Sequence, residues 1–199
     1  MMNKIRPAFL LLTLVVAGCS GVLTSDQAAK QYYTLMPLAA GAGGPDGAGP
    51  ELALTVTAVP GLDTDRIQSL GTDARLNYFA NARWPDHLPE LLASVIKRSL
   101  AANGRFAFVE VTDHASPNGW LLELEVQQFY GLQTASGETT SVVVGFEGSL
   151  SCDNSRHPVA LSASAAVATE RLSTVVSAHQ RGLDDATRQL LAQIGGACP

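Results

Sequence analysis

Charge is scarce in this chain. Asp, Glu, Lys and Arg make up only 16% of its 199 residues, and 13 basic residues face 18 acidic ones, a formal charge of −5. Nucleic-acid binders need a basic face to displace counterions from phosphate, and none is visible, so that class is excluded. Electrostatic docking on an anionic membrane is disfavoured for the same reason. No apolar run approaches the about twenty residues that span a bilayer. Cysteine is limited to Cys19, Cys152 and Cys198. His157 lies near Cys152, but a second ligand pair is missing, so a zinc site is not expected. No P-loop, dinucleotide fingerprint, metal-ligand helix or Gly-x-Ser-x-Gly elbow occurs, so no catalytic residue, cofactor or metal is called for. The histidines His87, His114, His157 and His179 are scattered. His179 reads as a half-buried surface residue. Glu123 and Glu125 share a strand face and read as its solvated side.

What is present is one domain behind a leader. The length suits a single domain of about 100–200 residues that buries roughly two-thirds of its surface. Apolar residues at 46% are in the globular range, which excludes disordered, collagen-like and coiled-coil chains. Lys4 and Arg6 precede an apolar run from Ala8 to Val16, and Val16-Ala17-Gly18 precede Cys19. A basic start, a short apolar core and small residues before a cut make a secretory signal over 1–18. Without it, eleven basic residues face eighteen acidic ones, or −7. Residues 19–30 read as a tether and 31–199 as the domain. Cys152 and Cys198 remain as an even pair in an oxidising compartment: a disulfide, or two buried free thiols.

Hydropathy gives the elements. Gln31–Met36 is rich in strand formers and stops at Pro37. A loop rich in glycine spans 39–50. Leu52, Leu54, Val56 and Ala58 alternate along a strand, and 66–70 with 75–80 reads as a hairpin across Gly71-Thr72-Asp73. Trp84-Pro85 opens a helix of about 17 residues, Pro85 in its first turn and Asn103-Gly104 at its end. Leu88, Leu91, Leu92, Val95, Ile96, Ser99 and Leu100 form its apolar stripe. Strands follow at 106–111, 120–130, 139–152 and 159–169. The alternation slips at Gln127-Gln128, which predicts a bulge. A last helix runs from a Ser173 cap to about Ile194, buries Val176, Leu183, Ala186, Leu190 and Ile194, has a weak point at Gly182, and stops at Gly195-Gly196. Short polar gaps favour antiparallel pairing. The expectation is an α+β fold: a mostly antiparallel sheet with two helices packed on one face.

Leu14-Val15-Val16-Ala17-Gly18-Cys19 resembles the lipobox of bacterial lipoproteins. That resemblance implies lipid attachment, palmitate included, at Cys19. Several acyl chains give stable anchoring where one is marginal. Ser20 implies the periplasmic face of the outer membrane, the inner membrane being the alternative.

Further segments resemble the ABC-type transport auxiliary lipoprotein family, the PqiC-like envelope lipoproteins. They are Tyr32-Tyr33-Thr34-Leu35; Leu54-Thr55-Val56 through Val59-Pro60-Gly61-Leu62-Asp63 to Asp65-Arg66-Ile67-Gln68; Leu76-Asn77-Tyr78-Phe79-Ala80 with Arg83-Trp84-Pro85; and Leu122 to Phe129. The resemblance covers most of residues 19–195. It does not assign the Cys152/Cys198 pair. It implies a non-enzymatic accessory subunit that works with an MCE-domain protein and the permease and ATPase of an ABC transporter moving lipids or other hydrophobic molecules. Arg83 and Trp84 are the candidate docking residues, Trp84 being read first as core packing and Arg83 as pairing with Asp86. A lipid carrier with an internal cavity is the alternative, and an envelope hydrolase lacks a converging nucleophile and base. Oligomeric state stays open.

Overall fold

A computed structural model of the chain describes residues 29–39 and 49–198. The leader, Cys19, most of the tether and most of the glycine-rich loop lie outside the described residues.

The three longest alternating segments set the frame. β6 (Trp120–Gln133), β7 (Thr139–Cys152) and β8 (Ser155–Ala166) form an antiparallel meander. Asp153 and Asn154, at φ 48 and 63, make the tight turn between β7 and β8. Short polar side chains of this kind tolerate the left-handed region that such a turn requires. Leu122, Leu124 and Val126 point into the core, and so does Phe129, one step out of phase. The phase change is the expected bulge: Val126 opposes Phe146, whereas Gln128 opposes Gly145.

The other edge of β6 is shared. Its first half takes β2 (Glu51–Ala58) in parallel, from Leu52↔Trp120 to Ala58↔Val126. Its end takes β3 (Arg66–Leu70), also in parallel, at Ser69↔Gly131. β5 (Phe108–Val111) extends β2 in parallel, β4 (Leu76–Arg83) closes the hairpin on β3, and β1 (Gln31–Tyr32) adds to β4 in parallel. The eight-stranded sheet is therefore mixed. The antiparallel expectation holds for the meander and the hairpin. Elsewhere a helix or a long excursion separates the paired strands in sequence, which allows parallel alignment.

α1 (Leu88–Asn103) buries the whole expected stripe from Leu88 to Leu100. It starts later than the sequence suggested, with Pro89 in its first turn, because Pro85 lies in the turn ahead of it. Gly104 at φ 85 ends it. α2 (Leu172–Ala197) follows Arg171, not a Ser173 cap, and runs through Gly195 and Gly196 instead of stopping there. Its last turn is held from outside. The Cys198 N–H donates to the Ile194 carbonyl at 3.1 Å, Arg105 donates to the Cys198 carbonyl, and Cys198 is disulfide-bonded to Cys152 with Cα atoms 6.4 Å apart. Gly182 is a contact point instead of a weak point: a Cβ there would come within 2.8 Å of Val144 Cγ2. The helix lies on the sheet closely because that side chain is missing.

Of the first expected strand, Gln31–Tyr32 pairs with the sheet and the Tyr33 N–H still donates to the Arg83 carbonyl at 2.9 Å. The chain then crosses the helices as a strap. Leu35 is buried in the core, the Gln180 amide accepts the Met36 N–H at 2.8 Å and donates to the Met36 carbonyl at 2.9 Å, and Ser99 Oγ accepts the Leu38 N–H at 2.9 Å. Both helices and one sheet face share this core.

Candidate docking surface

Arg83 and Trp84 lie at the end of β4 and just beyond it, and the structure separates their roles. The Trp84 N–H is fixed by the Asp65 carbonyl at 2.8 Å, which turns the indole inward. The ring is 1% exposed and meets Phe129 and His179 edge-on, at centroid distances of 6.0 and 5.6 Å. A ring so buried offers nothing to a docking partner; Trp84 is core. Arg83 pairs with Asp65 at 3.3 Å and not with Asp86. The reason is topological: Arg83 lies opposite Arg66 in the hairpin, so the residue preceding Arg66 is its neighbour. Sequence spacing alone carries no signal for that pair.

His179 is the residue the sequence reading misplaced. It is fully buried, Nδ1 lies 3.0 Å from the Val175 carbonyl, and Nε2 has no partner among the described residues. Burial pushes its pKa down to about 4, against the smaller upward effect of the Val175 bond. The signal was available: Val175, His179, Gly182, Leu183, Ala186, Leu190 and Ile194 make one helical stripe. Leu183, Ala186, Leu190 and Ile194 are buried as the periodicity predicts, and Val176 packs at the margin of the same face.

No nucleophile and base converge among the other candidates. Asp63 lies 3.1 Å from His87 Nδ1 on the exposed start of α1 and raises its pKa. Glu123 pairs with Arg156 at 3.1 Å on the outer sheet face, with Ser149 bonded to both, while Glu125 accepts from Gln127 at 2.6 Å. These carboxylates are the solvated side of the sheet. Cys152, Cys198 and His157 offer ligand atoms within 4.8 Å of one another, but the two sulfurs are joined, and metal ligation needs thiolates.

What the surface does present is apolar area at the β1–β4 end. Tyr32, Tyr78 and Leu76 are 64, 56 and 39% exposed. Arg66 lies over the Tyr78 ring at 4.0 Å. β1 covers β4 only at Ala82 and Arg83, so among the described residues Leu76–Asn81 keeps an unpaired backbone edge. A second feature is a cleft of about 480 Å³ between α2 and β8, lined by Leu150, Pro158, Val159, Ile194 and Ala197 among others. No helix among the described residues is long and apolar enough to cross a membrane.

The chain presents a filled two-layer α+β core, with exposed apolar residues at the β1–β4 end, at Met36 on the strap, and at Phe108 and Val111 on β5. The chain belongs to the ABC-type transport auxiliary lipoprotein component family, whose model matches residues 33–191. Its fold is that of protein XCC0632 from Xanthomonas campestris, assigned to DUF330, at a TM-score of 0.68 and 17% identity over 82% of this chain and 94% of that one. A second crystal structure, of an uncharacterized protein, shares it at a TM-score of 0.64 and 16% identity over 84% and 99%. No curated protein is a significant match.

Proposed function

We propose that this auxiliary lipoprotein is anchored through Cys19 at the periplasmic face of the outer membrane and docks an ABC/MCE system that moves lipids or other hydrophobic molecules. It contributes binding and leaves ATP hydrolysis to another subunit. The family match carries the transport role. The observation that favours docking over carriage is the filled space beneath the helices. Trp84, Phe129, Phe146, Leu92 and Val144, each at most 2% exposed, occupy the layer where an acyl chain would otherwise lie. A carrier needs a cavity of roughly 300–1,000 Å³ that encloses most of its ligand.

The α2–β8 cleft supports a second reading, in which a short apolar ligand seats against Leu150 and Ile194. Affinity purification of the tagged full-length chain from solubilised envelopes separates the two. Docking predicts recovery of an MCE-domain protein, a permease and an ATPase. Recovery of none of these, with phospholipid bound stoichiometrically to the chain, would replace docking by carriage.

A further inference from the structure

The geometry points to a bilayer contact surface on the β3–β4 hairpin, a claim that rests on the anchoring at Cys19 proposed above. β1 runs parallel to β4, with Gln31 opposite Ala82 and Tyr32 opposite Arg83. The chain preceding Gln31 therefore enters from the side on which β4 begins, and that side carries Leu76, Tyr78 and the Gly71–Arg75 turn. Ten residues, 19–28, separate the anchor position from the described chain. Fully extended they reach at most about 36 Å. The first part of the domain that this short leash brings to the surface is the hairpin.

The side chains there suit a headgroup layer. Leu76 and Tyr78 share one side of β4, and Tyr is a residue whose apolar ring and polar tip favour the membrane interface. Arg66 stacks on Tyr78, and Arg75 is 79% exposed. Residues 66–78 carry Arg66 and Arg75 against Asp73 alone, a local positive charge in a chain whose total is −5. Asp73 is bonded to Arg75, which holds its carboxyl below the usual range. The occupant is the phospholipid headgroup layer and not the hydrocarbon. N–H and C=O groups along Leu76–Asn81 that have no partner among the described residues would each cost several kcal/mol in an acyl environment, whereas water and headgroups satisfy them.

The test uses the lipidated full-length protein in phosphatidylcholine vesicles, with and without bromine on the acyl chains near the headgroup. The native indoles of Trp84 and Trp120 are 1 and 7% exposed and give a constant background. Tyr78→Trp adds an indole on the hairpin; Phe108→Trp adds one at a position 55% exposed on β5, at the far end of the strand order. Bromine is expected to quench the added emission of Tyr78→Trp and leave that of Phe108→Trp unchanged. The mass of the N-terminal peptide reads anchoring separately. A lipidated chain whose Tyr78→Trp indole is not quenched, or is quenched no more than that of Phe108→Trp, overturns the hairpin contact alone. A chain with no lipid on Cys19 overturns both readings. Shielding of the hairpin indole from aqueous iodide only after transporter subunits are added would assign the surface to a protein partner instead.

Discussion

Along β8 part of the outermost backbone of the sheet is occupied by side chains of α2. Gln189 accepts the Ser162 N–H and donates to the Ser162 carbonyl, Gln193 donates to the Ala160 carbonyl, and Arg181 donates to the Ala166 carbonyl. Pro158 removes a donor outright, and the disulfide fastens α2 to the adjacent end of β7. Three side chains of one helix thus bond this edge at Ala160, Ser162 and Ala166. At the opposite side, among the described residues, β4 keeps its backbone unpaired over Leu76–Asn81 and exposes Tyr78. Exposed edges invite association, and proteins usually blunt them. The β8 edge is held by α2 and the β4 edge is left open, while β5, the third outermost strand of the branched sheet, exposes Phe108 and Val111. The closed side serves stability, and the open side is available for contact.

The largest expected loss comes from the core beneath the open side. Trp84→Ala removes the ring that packs on both Phe129 and His179, and truncating a buried aromatic costs about 3–5 kcal/mol. Thermal unfolding should show a correspondingly lower midpoint. A loss below about 1 kcal/mol would mean that the open side does not depend on a filled core, contrary to the usual cost of such a cavity.

Next comes the staple of the closed side. The disulfide joins residues 46 apart, for which chain entropy gives roughly 4 kcal/mol. Replacing Cys152 and Cys198 together by Ser should lower stability by about 2–4 kcal/mol in urea unfolding. Hydrogen exchange should accelerate through Gln193–Ala197, where helix-breaking glycines are held in place, and not along β3 and β4. Uniform acceleration would erase the asymmetry between the two sides.

A pH effect of similar or smaller size is expected at His179, which packs between them. Its folded pKa is near 4 and its ordinary value 6.5. Below pH 6.5 the unfolded chain takes up a proton that the folded one refuses until about pH 4. The stability associated with the neutral ring is therefore complete above pH 6.5 and falls as pH drops toward 4, by up to about 3 kcal/mol. Urea midpoints at pH 7 and pH 4.5 measure it, with His179→Leu as the reference. If the two proteins lose stability equally over that interval, His179 is not responsible.

Several elements of the fold were legible in the sequence, and the contrast between the edges was not. The α1 stripe, the bulge at Gln127-Gln128 and the 139–152 strand follow from local periodicity, and local periodicity decides them. The parallel joins of β2 and β3 to β6 do not, because pairing between distant segments leaves no mark on either one. Likewise Asp65 becomes the partner of Arg83 only through hairpin register. The glycines of α2 misled for a related reason. Gly195 and Gly196 carry a stop signal that Arg105, Cys152 and Cys198 override from outside the helix. Of the candidate site, Trp84 was readable as core, whereas the open edge was not, since its existence depends on how little of β4 is covered by β1.

The smallest expected effect addresses the closed edge most directly. Gln189→Ala combined with Gln193→Ala removes the amides that bond Ser162 and Ala160, leaving α2's buried face untouched because both lie off the stripe. Water can replace what the amides supplied, so the loss of stability should be about 1–2 kcal/mol in total, the net worth of a few exposed hydrogen bonds. The larger consequence is for association. β8 would then carry free donors and acceptors at Ser162 and Ala160, making it an edge like that of β4. Sedimentation velocity across a range of concentrations should show a concentration-dependent species in the double variant that is missing from the parent chain. Should the double variant sediment like the parent at every concentration, the glutamines are incidental to edge protection, and Pro158 with the Arg181 bond to the Ala166 carbonyl must suffice.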